Sequence, residues 1–577
     1  MPSGHQHPAI TPSEQPPLRA PLAAPPSLPS TRTLFLIALG LGLAVLAVYS
    51  RSLAFQFILD DHRFTADPRI QESGHIWDYF ANYVWAQFTG GPPSFYRPVF
   101  LLWVRINFVL AGLSSWGWHL LSIAKHIAVA VLLGMLAWKL LRDWLAAFAA
   151  AALFALHPAQ AESVSWVTVP DPLMALGILA ALLFYLRYVN SAAPPSQPRK
   201  KSRKKSAAAP ERPLVWMLAS TASYFAALLC KETSIIFPVV IFAFALSLAE
   251  TPPGTRPTGE DFRIRLLRAL RHTAPFICVT ALYLLMRINA FAGTLGSATQ
   301  HLPWKTVILS WPATLWFYFR AMLWPVKSFS FADPTLVETF SARGVLLPLI
   351  ALAFFALLLL LILSWMWRKS HELAEPRSAG IRAALVAGTL LLILPLLPAL
   401  NLNALNPGDF LHGRYTYLPL AGLMLLIATA WSLLENVRPA LLCAAAALLI
   451  FFAALTLAQQ MQWKDDATLF ATAHQLAPHN APVAQNLANT SVQAALQLDE
   501  DGQCSEAIPI FERVLHDYPD DWYAWAGLGD CYVQLKNLPK AEESLHRAAD
   551  LSHNSQVFQQ WQELRSEMGL PNSAPPK

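Results

Sequence analysis

The sequence predicts an all-α protein: a polytopic membrane bundle of about eleven spans, followed by a C-terminal tetratricopeptide α-solenoid. Three observations predict it. Apolar residues make up 55% of the 577-residue chain and charged residues only 14%, whereas a soluble globular chain is nearer a quarter charged. The apolar residues gather into blocks about as long as a bilayer-crossing helix, roughly 20 residues. One runs from Val345 to Trp367 with an unbroken leucine run at 357–361. After residue 460 this pattern gives way to a self-similar, mixed polar and apolar one.

The first 32 residues are rich in Pro, Ala and Ser and are expected to be a disordered cytoplasmic tail. Leu34 to Tyr49 reads as a retained first span, because its leading segment is long and no small-x-small cleavage site follows. Further spans start near Leu120, Ala146, Leu173, Leu214, Thr233, Thr273, Val345, Ile381, Leu411 and Pro439. Two more segments read as interfacial or re-entrant. Val99 to Gly112 is short and contains Arg105 and Asn107, and Val307 to Leu323 is interrupted by Pro312 and carries Arg320.

Basic residues in short loops set the orientation. The run Arg199 to Lys205 is expected in the cytoplasm. So are Lys139 and Arg142, the group Arg263, Arg265, Arg268 and Arg271, and Arg368, Lys369, Arg377 and Arg382. These agree only if 307–323 does not cross. The N-terminus then lies inside, the membrane domain occupies 33–460, and its loop 51–98 lies outside with a repeat domain at 461–570. The net charge of +6 is small for this length and belongs to the loops; it excludes a nucleic-acid surface.

The repeat domain is read from Trp525-Ala-Gly-Leu528-Gly529-Asp-Cys-Tyr532, followed by Ala541, Leu545 and Ala548. This matches the tetratricopeptide spacing. Small Gly529 and Ala541 permit two antiparallel helices to approach closely. An earlier unit runs from Asn486 through Ala507 and Phe511 to Pro519, with an interhelix loop near 498–504 longer than the pattern expects. A half unit around Trp463 to Pro478 precedes it. So short an array needs support from the membrane domain or from its own C-terminal helix near 558–568. Its groove either binds a peptide or partner protein, or the array is a rigid cap. Cys504 and Cys531 read as two separate packing thiols; in an oxidising compartment they are candidates to pair.

Ionisable groups at membrane depth are costly, so they default to functional candidates. Asp60-Asp61 follows the first span. Adjacent carboxylates repel and one holds its proton longer, which suits a base for a hydroxyl; a helix cap or an ion pair with Arg63 is the alternative. His157, Glu162 and Trp166 form one wall candidate, with interfacial anchoring by Trp166 as the alternative. Asp171 reads as a helix cap. Lys231-Glu232 is either a self-neutralising pair or a phosphate contact. Arg414 suits a phosphate because its planar fork donates two parallel hydrogen bonds; Tyr415 and Tyr417 beside it also fit an aromatic belt. Arg287 and Arg97 are similar candidates. His119 and His126 lie seven apart, too far for an obvious metal pair.

In this order, Asp60-Asp61, Tyr96-Arg97-Pro98, Trp116-Gly117-Trp118-His119, His157-Pro158…Glu162…Trp166, Leu229-Cys-Lys231-Glu232 and Gly413-Arg414-Tyr415-Thr-Tyr417-Leu-Pro419, with the terminal repeats, resemble the transmembrane-and-TPR-containing O-mannosyltransferase-like family of GT-C glycosyltransferases. The resemblance covers Leu34 to about Asp550. It implies transfer of a sugar, mannose in the family, from a polyprenyl-phosphate carrier in the membrane lipid to an acceptor protein or glycan on the outer face. It also implies that Asp60 or Asp61 is the catalytic carboxylate and that Arg414 meets the carrier. The short array points to a bacterial member in a plasma membrane. Two departures stand out. Val169-Pro170-Asp171-Pro172 replaces a common Gly-Arg-Ala-Asp, removing a cation, and Gly413-Arg414 replaces a common Glu-Arg. The implied chemistry needs a base for the acceptor, Asp60 or Asp61, and cations for the departing phosphate, Lys231, Arg414 and Arg287. His157 and Glu162 would shape the sugar site. No cofactor is called for, and the residues leave metal use open. The rival readings are a non-enzymatic scaffold displaying the repeats and a lipid or solute transporter.

Overall fold

The computed structural model describes residues 31–88, 95–192, 213–248, 259–294, 301–327, 336–374, 377–405, 411–552 and 554–571. The proline-rich tail before residue 31, the basic run 199–205 and Gly408 to Phe410 lie outside them. Among the described residues the chain is helical without strands. Each of the eleven apolar blocks forms a helix. Eight are long and apolar enough to cross a bilayer by themselves: Phe35–Ala54, Ser115–Leu141, Asp171–Ser191, Phe262–Ala290, Ala342–His371, Arg377–Leu400, Gly413–Leu433 and Glu435–Trp463. The chain is therefore an integral, multi-pass membrane protein.

The three remaining blocks differ for local reasons. Trp144–Ala155 starts on Asp143, whose side chain accepts the Ala146 N–H. It stops at His157-Pro158, because the residue before a proline avoids helical geometry. The chain resumes as Pro158–Ser165, bent by 53°. Pro213–Leu228 and Phe237–Leu248 are 16 and 12 residues long, and Lys231 lies between them. Pro98–Ala111 and Trp304–Leu323, the two segments set aside on sequence, are helices as well.

Close helix crossings depend on glycine. At Gly422 an added Cβ would lie 2.5 Å from the Leu392 nitrogen and 2.6 Å from the Gly388 carbonyl oxygen. Two small residues facing each other are how membrane helices bring their backbones together when lipid supplies no hydrophobic drive. The crossing fixes Arg377–Ile393 against Tyr417–Leu433, and the latter carries Arg414 just before its start.

The repeat region has six helices, Asp466–Leu476, Ala481–Glu500, Cys504–Asp517, Trp522–Gln534, Leu538–Ser552 and Ser555–Glu567. The extra residues expected in a loop near 498–504 instead lengthen Ala481–Glu500, which ends in a short turn where Gly502 takes φ +74°. Gly529 faces Leu545, as the spacing required. Both expected supports are present. Val557, Trp561 and Leu564 of the last helix complete the repeat core. The first half unit packs on the membrane domain through Ile58, Trp166, Val169, Trp463, Leu469, Ala473 and Val483. There Trp166 and Trp463 stack with centroids 6.2 Å apart. Cys504 and Cys531 are not independent packing thiols: both donate to one Asp499 oxygen, at 3.2 and 3.1 Å.

Gly422→Val is expected to overpack the crossing, costing about 1–3 kcal/mol. A melting temperature in detergent equal to wild type would contradict the close approach.

Candidate active site

The first span ends in a 3-10 turn, Ser50–Ala54, and the chain then runs extended to a short helix, Asp60–Ala66. The two carboxylates at its start point to different places. Asp61 is fully buried. One of its oxygens accepts the Thr168 hydroxyl at 2.6 Å and the Thr168 N–H at 3.2 Å; the other accepts the Ile58 N–H at 3.2 Å. It ties the first loop to the segment after Pro158–Ser165. Burial pushes its carboxyl up to about 7, against the lowering effect of these hydrogen bonds and with the charge of Asp60 adding to the rise. Asp60 is half-buried and lines two cavities.

The first cavity is small, about 80 Å³, and is walled by Asp60, Arg97, Lys231, Arg414, Tyr415, Trp166 and Thr168, with Phe64, Trp85, Phe95 and Phe100 on its apolar side. Its three cations are each held by a carboxylate behind them. Lys231 Nζ meets both Asp171 oxygens at 2.6 Å and lies 4.6 Å from the Tyr415 ring centre. Arg97 forks onto Glu232 at 2.8 and 3.0 Å, and Arg287 shares that carboxylate at 3.4 Å. Arg414 meets Glu162 with its backbone N–H at 3.1 Å and its guanidinium at 3.3 Å, and lies over the Trp166 ring at 4.5 Å. Lys231 and Glu232 are thus not paired with each other. Asp171 does more than start a helix, since it holds Lys231. Burial lowers Lys231 to about 8 despite Asp171, with Arg414 and Arg97 assisting.

Of the sequence candidates, Asp60, Arg97, Lys231 and Arg414 converge on this cavity. Glu162 and Glu232 stand one contact behind it, and Arg287 stands behind Glu232. His157 and Tyr417 lie outside the lining and are fully buried. His157 donates from Nε2 to the Met322 carbonyl at 3.0 Å and accepts the Ala159 N–H. Tyr417 pairs with His126 at 2.7 Å.

Three contributors escaped the sequence. Lys125, on Ser115–Leu141, is buried and reaches the Val169 carbonyl at 3.4 Å beneath the cavity wall; its signal was an ionisable group at membrane depth. Thr168, immediately before Val169-Pro170-Asp171-Pro172, carried no signal of its own in the sequence. Asp466, from the repeat region, accepts the Leu59 N–H at 3.0 Å and contacts His62 Nε2 at 2.9 Å. Among the described residues, the one group of three His, Cys, Asp or Glu side chains close enough to share a metal ion is Asp499, Cys504 and Cys531. It belongs to the repeat core.

The chain is similar along most of its length to known proteins. Human protein O-mannosyl-transferase TMTC3 is 24% identical over 535 residues, covering 88% of this chain and 54% of that protein. Drosophila melanogaster protein O-mannosyl-transferase Tmtc1 is 25% identical over 517 residues, covering 75% and 57%. The chain thus spans about half the length of these curated relatives. A tetratricopeptide repeat family model matches residues 500–565. Among solved structures, the Archaeoglobus fulgidus oligosaccharyltransferase in the apo form aligns over 79% of this chain and 60% of that one, at 14% identity and TM-score 0.39.

Because Asp61 holds its proton more tightly folded than unfolded, its contribution to stability is full below about pH 4 and is lost as pH rises through 7. The melting temperature of wild type is expected to fall between about pH 5 and about pH 7.5 more steeply than that of Asp61→Asn, which has no titrating group there. Parallel curves would contradict the assignment.

Proposed function

We propose that this chain, whose homologues are the TPR-bearing protein O-mannosyl-transferases, is a membrane glycosyltransferase that moves a sugar from a polyprenyl-phosphate carrier to an acceptor hydroxyl. One observation carries the reading. Asp60 faces Arg97, Lys231 and Arg414 across one cavity and opens on its other side into a second cavity beneath the repeats. A base and a set of phosphate-binding cations are what this transfer requires.

The acceptor oxygen bonds to the anomeric carbon while its proton passes to Asp60. The bond between that carbon and the phosphate oxygen breaks, and the lipid phosphate leaves with the bonding electrons. The charge that grows on it is met by Lys231 and Arg414, already fixed by Asp171 and Glu162, so little reorganisation is needed as the reaction proceeds. Arg97, held by Glu232, adds a third positive charge. Trp85, Phe95 and Phe100 offer apolar surface beside the phosphate position. Asp61 acts as a positioning residue, since both its oxygens are committed to Thr168 and Ile58.

The site lies at one end of the bundle, and basic residues support its being the outer end. Ser115–Leu141 and Arg377–Leu400 carry Lys139 and Arg382 at the far end from it. Phe262–Ala290 brings Arg287 to the site from a start bearing Arg263, Arg265, Arg268 and Arg271. Cytoplasmic loops favour such residues, so the repeats and the reaction share the side opposite the N-terminus.

In membranes supplied with polyprenyl-phosphate mannose and a protein acceptor, Asp60→Asn is expected to lower transfer at least about 100-fold, the effect of losing a general base. Arg414→Ala is expected to raise KM for the lipid donor and lower kcat. Because burial leaves Lys231 at about 8, donor binding is expected to weaken above that pH as its charge is lost. Wild-type rates in Asp60→Asn would overturn the proposal, and an inactive wild type with every lipid carrier would favour the scaffold reading.

A further inference from the structure

The repeat core holds a polar group that neither the reaction nor helix packing accounts for. Asp499 lies at the end of Ala481–Glu500, Cys504 begins the next helix, and Cys531 comes from the one after it, Trp522–Gln534. All three side chains are buried. Their surroundings are the apolar core of the repeats, where a carboxylate is expensive unless an opposite charge meets it. Among the described residues the partners of Asp499 are neutral. Its Oδ1 accepts the Cys504 thiol at 3.2 Å, the Cys531 thiol at 3.1 Å and Gln534 Nε2 at 2.8 Å. Thiols are weak donors, and the arginines nearby pair elsewhere, Arg547 with Asp520 and Arg565 with Glu542.

We propose that Asp499, Cys504 and Cys531 are the ligands of a structural metal site for a thiophilic divalent cation, zinc by its chemistry. The three ligand atoms lie within 4.8 Å of one another. Around a tetrahedral zinc ion two thiolate sulfurs lie about 3.8 Å apart, and a sulfur and a carboxylate oxygen about 3.6 Å apart. The observed S···O separations of 3.2 and 3.1 Å need to widen by only about half an ångström to admit it. Two sulfurs in the set select zinc over magnesium or calcium, which take oxygen ligands. Binding releases the two thiol protons to solvent. The cation then meets two thiolates and a carboxylate where only neutral donors face that carboxylate now. Gln534 follows Cys531 by three residues and shares its helix face. Turning its carboxamide over places an acceptor oxygen where the NH2 group stands, which supplies a fourth ligand. The way in is short, because residues 501–503 between the first two of these helices are exposed. The site joins three consecutive helices of a short array, the kind of staple that small domains use when their apolar core is limited.

The test uses the full-length protein in detergent, purified without chelator, as wild type, Asp499→Asn and Cys531→Ser. Elemental analysis of wild type is expected to find about one zinc per chain. After chelator treatment, added cobalt(II) should produce the near-ultraviolet absorption of thiolate-to-cobalt charge transfer, and zinc should abolish it by displacing the cobalt. Both variants, with helix content checked by circular dichroism, should bind zinc at least about tenfold more weakly, the least that loss of even a supporting group costs a metal site. The cobalt spectrum of wild type requires no variant to fold. A wild type without zinc that also gives no cobalt charge-transfer band, wild-type zinc affinity in Asp499→Asn, or a Cys504–Cys531 disulfide in the protein as isolated from its membrane would each overturn the site.

Discussion

Leu59 sits at φ +51°, a conformation that costs a residue with a branched side chain about 1–3 kcal/mol, and the placement of Asp60 depends on it. The strain is held from three directions. Asp466 of the repeat region takes the Leu59 N–H, Asp61 takes the Ile58 N–H, and Thr168 of the membrane domain anchors Asp61. Segments some hundred to four hundred residues apart in sequence thus determine one backbone angle. The result is a short helix whose first residue reaches two cavities and whose second is sealed. A membrane body and a repeat tail become one site because the tail supplies part of the restraint.

The electrostatics follow the same logic. Lys231, Arg97 and Arg414 all meet a carboxylate before any ligand arrives. Burying a charge alone is expensive, and removing one member of a buried pair costs about 3–5 kcal/mol. Asp171, Glu232 and Glu162 therefore keep the cations present and aimed. The aromatic faces of Tyr415 and Trp166 further limit where Lys231 and Arg414 can point. A loop ion pair also restrains the region: Arg69 is buried against Asp67 at 2.7 Å and donates to the Val84 carbonyl.

Much of this was legible in the sequence, and the boundary has a physical cause. Span lengths and tetratricopeptide spacing are local periodicities, so the helices and the repeat tail could be read directly. That Asp60, Arg97, Lys231 and Arg414 are candidates was readable from the cost of charge near a membrane, and the structure adds that they line one cavity. Which carboxylate holds which cation was not readable. Lys231 passes over its neighbour Glu232 for Asp171, 60 residues earlier, because Asp171 opens a helix that starts at the site while Glu232 turns toward Arg97. Nor could Asp60 be told from Asp61, since adjacent residues on a helix diverge by about 100° and only the packing of Thr168 shows which one faces the protein. At 498–504 the repeat spacing predicts a longer loop, whereas the helix continues to Glu500.

The most direct measurement is a structure of the protein with a non-transferable polyprenyl-phosphate sugar analogue and a threonine-containing peptide. The phosphate is expected against Lys231 and Arg414, with the threonine hydroxyl within about 3 Å of an Asp60 oxygen. A phosphate bound away from these cations, or an acceptor hydroxyl that approaches the sugar without reaching Asp60, would contradict this arrangement.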